Sequence, residues 1–139
     1  MGELSFFVAG RPAPQGSKEF KGRSRAGKAI LVESSIHVGS WRDQIAWHAR
    51  QQNPEILAGP VKMTLAFVMV RPKRLPKSKP TPPATQRTGD SDKLARAVGD
   101  SLTGICYEDD AQVVELHVYK RIAEPDEQSG VHITIQETA

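Results

Sequence analysis

Two pairs of carboxylates stand out for the chemistry they offer. Asp90-Ser91-Asp92 follows a long basic, proline-rich stretch, and Asp109-Asp110 precedes a β-prone run. Carboxylates drawn together repel one another unless a cation joins them. Mg²⁺ takes oxygen ligands and keeps several waters, and it can polarise a phosphodiester and activate a bound water. Lys93 and Arg96 follow the first pair at the spacing of one helical turn, where a cation can hold a phosphate or stabilise charge developing on it. The same residues also have a plain structural use, because Asp at a helix start caps it and Asp-Asp before a strand makes a turn.

These residues need elements to carry them. Leu94, Ala97, Val98 and Ser101 recur on one side of a helix expected over about Asp92–Leu102. Asp92, Lys93, Arg96 and Asp100 fall on the other side, and Thr103-Gly104 closes it. Val61 to Val70 is apolar on both faces and reads as a central strand. Val113–Lys120 and Gly130–Gln136 alternate and read as an antiparallel hairpin around the acidic turn 123–129. A strand at Leu4–Ala9 and another at Ala29–Val32 suggest a first hairpin with a long basic tip, and Ser40 is placed to cap a helix over Trp41–Gln52. The expected fold is α+β, with a mixed β-sheet and two main helices in the order β-β-α-β-α-β-β, forming one domain over 1–139. For an Asp90, Asp92 and Asp110 cluster to form, the strand after Asp110 has to lie beside the start of the second helix.

Composition narrows the function. The chain of 139 residues has a net charge of +3, 38% hydrophobic and 25% charged residues, which fits one soluble core. Fourteen of the 19 Lys and Arg lie in residues 1–80, and eleven of the 16 Asp and Glu lie in 81–139. A basic half points to a polyanionic partner. The cations cluster in two loops, about 16–28 (Lys18, Lys21, Arg23, Arg25, Lys28) and 71–88 (Arg71, Lys73, Arg74, Lys77, Lys79), which together with Lys93 are the candidate DNA contacts. Prolines are expected to keep the second loop extended. Phe20 in the first is a candidate to wedge between or stack on opened bases. The four histidines are dispersed, and Cys106 has no partner for a disulfide or a zinc site. No apolar run approaches the roughly 20 residues needed to span a bilayer, and the start lacks a secretory signal, so the cytoplasm is the expected location.

The run from Gly89 to Val114 resembles the RusA family of Holliday junction resolvases. It carries Asp90-Ser91-Asp92, a helix with a basic residue at Arg96 and a further Asp100-Ser101-Leu102, then Tyr107-Glu108-Asp109-Asp110-Ala111-Gln112-Val113-Val114. The opening Gly10-Arg11-Pro12-Ala13-Pro14-Gln15-Gly16-Ser17-Lys18 is similar to phage and actinobacterial members. The resemblance implies a homodimer that binds four-way DNA junctions and nicks two strands symmetrically with Mg²⁺ or Mn²⁺. It assigns metal binding to Asp90, Asp92 and Asp110, and a catalytic role at position 96, where Arg stands for the lysine of many members. Lys93 stands for a usual asparagine, and Thr88-Gly89 for a basic residue and proline. The alternatives are a broader nuclease acting on forks and flaps, a junction-binding protein with weak catalysis, and a basic domain whose acids only cap and turn.

Overall fold

The computed structural model describes residues 2–16, 18–23, 29–33, 37–85 and 90–138, with the backbone alone for 18–23 and 29–33. The elements are β1 (Glu3–Ala9), β2 (Lys18–Arg23), β3 (Ala29–Glu33), α1 (Val38–Gln51), β4 (Val61–Met69), α2 (Ser91–Leu102), β5 (Val113–Ile122) and β6 (Gly130–Glu137). The expected α+β order holds, with one strand, β2, added.

β4 takes a central place because both its faces are apolar. Val61, Met63, Leu65, Phe67 and Met69 lie on the side that meets the helices, and Val68 on the other side is also buried. The four-stranded sheet has the order β1-β6-β4-β5. β1 and β4 each pair with β6 in antiparallel fashion, and β4 pairs with β5 in parallel. β1, β4 and β5 therefore run one way and β6 runs the other.

This pairing corrects the hairpin expected from Val113–Lys120 and Gly130–Gln136. β4 sits between those two strands, since its apolar surface is better hidden in the middle of the sheet than at an edge. The segment after β5 is long enough to step over one strand; Ala123 N donates to Met69 O at 2.8 Å on the way. The first hairpin is also reassigned. Leu4–Ala9 lies at the sheet edge against β6, and the partner of Ala29–Glu33 is the basic run Lys18–Arg23.

Both helices cover one face of the sheet. α1 starts at Val38, earlier than a Ser40 cap allows, and ends before Asn53, whose φ of 51° breaks the helical path. Trp41, Ile45 and Ala49 are buried from α1, and Leu94, Ala97, Val98 and Leu102 from α2. Each large aliphatic side chain so buried contributes about 1.5–3 kcal/mol. No helix among the described residues is long and apolar enough to cross a membrane.

A strap joins β1 to the helices. At Gly10, φ is 150°, and a Cβ there would come within 2.5 Å of Gln44 Oε1 and 2.9 Å of the Trp41 ring. Glycine lets the chain turn against α1. Pro12 and Ala13 are then buried, and Gln15 N donates to Lys93 O at 2.9 Å in the first turn of α2.

Candidate active site

The two acidic pairs differ in how far the fold uses them. At the start of α2, Asp90 occupies the N-cap position with extended backbone, yet its side chain makes no capping hydrogen bond. Its nearest described cation is Lys93, at 3.9 Å. Asp92 is exposed in the first turn. Arg96 is exposed one turn further on, and it enters no ion pair or hydrogen bond among the described residues. An arginine flanked at i−4 by Asp92 and at i+4 by Asp100 would ordinarily pair with one of them.

The second pair is divided. Asp109 accepts from Ala111 N at 2.9 Å, and Gln112 Oε1 accepts from Asp109 N at 2.9 Å, a reciprocal cap around a short turn at Asp110–Gln112. Gln112 also accepts from Glu108 N and donates through Nε2 to Leu57 O and Gly59 O, at 2.8, 2.8 and 2.9 Å. Asp109 and Gln112 thus bind the turn to the entry of β4. The backbone bond from Ala111 holds the Asp109 carboxyl below its ordinary value. Asp110 is exposed and lies outside this clamp. Its hydrogen bond with Asp109 lifts its carboxyl above the usual range, and the charges of Asp109 and Asp100 push the same way.

The turn is also fixed to α2. Tyr107 is fully buried and donates to Gly99 O at 2.7 Å, while Gly104 N donates to Tyr107 O at 2.7 Å. Burial lifts the Tyr107 phenol above its ordinary value and pushes the neighbouring Cys106 thiol to about 11. Cys106 is a small core residue, as its sequence context suggests.

The parallel pairing sets where these groups fall. β5 begins opposite Val61, the first residue of β4, so α2 must run back from the end of β4 to its beginning. Asp90, Asp92 and Lys93 therefore sit at the end where β4 and β5 finish, and Asp110 sits at the end where they start, beside Asp100. Asp92 and Asp100 are eight residues apart, about 12 Å along a helix axis. Among the described residues, no three His, Cys, Asp or Glu side chains gather closely enough to hold a metal. One chain brings Asp110 near Asp100, and the length of α2 keeps both from Asp90 and Asp92 at its start. The sheet pairing decides this separation, and nothing local in the sequence reports it. The donor chemistry itself suits Mg²⁺: Asp90, Asp92 and Asp110 are carboxylates that the fold does not use as caps.

The basic 71–85 segment lies at the Asp90 end, between the finish of β4 and the start of α2. The 71–85 stretch is wrapped around Arg71, contrary to an extended path. Arg71 Nη1 donates to Thr81 Oγ1 at 2.7 Å and Ala123 O at 3.3 Å, and Nη2 to Pro76 O at 3.0 Å and Lys79 O at 3.1 Å. Two turns, closed by Leu75 N to Pro72 O and Lys79 N to Pro76 O, complete it. Lys77 pairs with Asp126 at 2.9 Å. Lys73, Arg74 and Lys79 are exposed and in no ion pair among the described residues. Arg71 thus organises the loop, and these three cations face solvent. Lys18, Lys21 and Arg23 lie on β2, for which only the backbone is described, as does Phe20; Arg25 and Lys28 fall outside the described residues.

Two features were missed at the level of sequence. One is the contact of Gln15 with the start of α2, for which the Pro/Gly strap gives no periodic signal. The other is the Gln112 clamp, whose only sign was a glutamine three residues after an aspartate.

A family model for the endodeoxyribonuclease RusA matches residues 9–136. The chain is also 29% identical over 144 residues to the uncharacterized protein YqaN of Bacillus subtilis (strain 168), across 98% of this chain and 97% of that protein. The match spans the strap, both acidic pairs, β4, β5 and nearly all of β6, and on it the chain belongs to the RusA family of endodeoxyribonucleases, which act at branched DNA junctions.

Proposed function

We propose that the protein resolves Holliday junctions by paired, Mg²⁺-dependent hydrolysis of phosphodiester bonds, as a homodimer in the bacterial cytoplasm. The observation that carries this reading is the set of polar groups that folding leaves over at the family's positions: Asp90, Asp92 and Asp110 outside any cap, with Arg96 unpaired among the described residues. Asp90 and Asp92 would hold the metal. When bound, Mg²⁺ supplies a polarised phosphodiester and a more acidic water. Mn²⁺ takes the same oxygen donors. Arg96 and Lys93 would steady the scissile phosphate, with Arg96 offering a planar fork of donors. Lys73, Arg74 and Lys79 would meet phosphates further along the arms, by charge rather than by base reading.

The distance between the acidic pairs supports a shared site. If all three acids serve one metal, Asp110 comes from a second copy, and two such sites arise from one two-fold axis. A junction has the same approximate symmetry and requires two nicks. Dimerisation is then a condition of catalysis as well as of geometry.

Complementation tests this. Asp92→Asn and Asp110→Asn are each expected to leave a synthetic four-way junction uncut in Mg²⁺. Co-expressed, the two variants regain one intact site in each mixed dimer, and nicking returns to about a quarter of the wild-type level. Cleavage retained in either single variant overturns the assignment, and no recovery in the mixed sample overturns the shared site. Forks, flaps and linear duplex in the same gel report whether junctions are preferred.

A further inference from the structure

We infer that Gln15 and Arg42 form a second phosphate-holding subsite beside the Asp90–Lys93 end of α2, for a backbone phosphate flanking the scissile one. The inference rests on the nuclease reading above and adds residues from two other elements, the strap and α1.

Gln15 is pinned by its backbone, with its N–H bonded to Lys93 O at 2.9 Å. Its side chain therefore stands next to the first turn of α2. Arg42, in the second turn of α1, reaches across to it, Nη1 donating to Gln15 Oε1 at 3.4 Å. That long bond to a neutral amide is the one hydrogen bond of the half-buried Arg42 among the described residues, and no carboxylate there pairs with it. Its neighbour Asp43 is exposed and enters no ion pair among the described residues. A partly desolvated guanidinium without a counter-charge is poorly satisfied, and a phosphate offers the charge and two acceptor oxygens. The Gln15 Nε2 group, also without a described partner, adds a donor aimed from the strap.

A second observation comes from the helices. Both α1 and α2 begin at this end of the sheet, and neither N-cap side chain, His37 or Asp90, makes a capping hydrogen bond. The partial positive ends of two helices therefore flank the Arg42–Gln15–Lys93 row. The α1 end has no acidic residue in its first turn and favours anionic backbone beside Arg42.

The experiment measures junction binding without divalent metal across a series of salt concentrations, together with thermal stability. Arg42→Gln is expected to weaken binding about three- to tenfold and to lower the slope of log affinity against log salt by roughly one. Arg42→Lys should keep the slope. Gln15→Ala should weaken binding less and leave the slope unchanged, since it removes no charge. Lys62→Gln, on the opposite face of the sheet in a pair with Glu115, should change neither quantity. In cleavage assays Arg42→Gln should raise KM and leave kcat within about threefold. An unchanged salt slope in a folded Arg42→Gln protein overturns the subsite. Failure of the wild-type protein to bind branched DNA at all overturns the nuclease reading and, with it, this one.

Discussion

The two ends of the sheet contrast in charge and in what their polar groups do. Where β1, β4 and β5 finish, Lys73, Arg74, Lys79, Arg42 and Arg96 stand without ion-pair partners among the described residues, around Asp90 and Asp92. Where those strands begin, Asp110 stands near Asp100, and a cleft of about 430 Å³ is lined by residues that include Glu3, Glu55, Glu137 and Cys106. The acids of the second half of the sequence are shared between the ends: Asp90, Asp92, Asp126 and Glu127 lie with the cations, and Asp100, Asp109 and Asp110 lie at the other end. Like residue types play different parts at the two ends. Asp109 ties down a turn, while Asp90, at a position that invites capping, caps nothing. Hydrogen-bond accounting separates groups that build the protein from groups left over for a ligand, which residue identity does not.

The sharpest way to break this contrast is to compare neighbours in the acidic turn. Asp110→Asn should lower junction cleavage by at least about a hundredfold, since even groups one step removed from a metal cost 10–100-fold when changed. Asp109→Asn should keep cleavage within a few-fold and lower the thermal midpoint instead. Equal losses of activity in the two variants would erase the distinction between clamp and ligand.

A smaller effect is expected at Gln112. Gln112→Ala removes four hydrogen bonds and leaves the Leu57 and Gly59 carbonyls without their partner, for a loss of about 1–3 kcal/mol in denaturant unfolding. Part of any activity loss should return at low temperature, where the turn re-forms. An unchanged midpoint would mean that Tyr107 and the Asp109–Ala111 bond hold the turn without it.

The smallest effect belongs to the acidic group that lies among the cations. Glu127 makes two bonds with Arg121, at 2.6 and 2.5 Å, which hold its carboxyl at about 2, below the ordinary 4.5. A lowered folded value stabilises above the unfolded one and is lost as pH falls. Stability should therefore decline slightly from about pH 4.5 towards 2, and Glu127→Gln should flatten that part of the profile. An identical acid limb in the variant would show that this exposed pair contributes nothing measurable.

Much of this was legible beforehand. The Leu94, Ala97, Val98 stripe located α2 to within a residue, and the two-sided apolar run of Val61 to Met69 marked the central strand. The acids and Arg96 were legible as types in an ordered pattern. Their separation was not, because alternation in Val113–Lys120 and Gly130–Gln136 gives each strand a face but not a neighbour. Reading those strands as a hairpin and expecting all three acids to meet in one chain arise from the same gap: pairing is settled by competition for the middle of the sheet. The strap was illegible for another reason. Gly10 to Gly16 has no period, and its meaning lies in contacts with Trp41, Gln44 and Lys93 that are distant in sequence.

The placement of β6 has a consequence for biosynthesis. The strand made last is wedged between the one made first and the one made in the middle, with Leu4 facing Ile135 and Met63 facing Ile135 from the other side. A growing polypeptide leaving the ribosome can coil its helices early, yet it has no closed sheet until translation of this domain is nearly over. A shortened chain lacking β6 is therefore expected to have no closed sheet and to be cut readily by proteases.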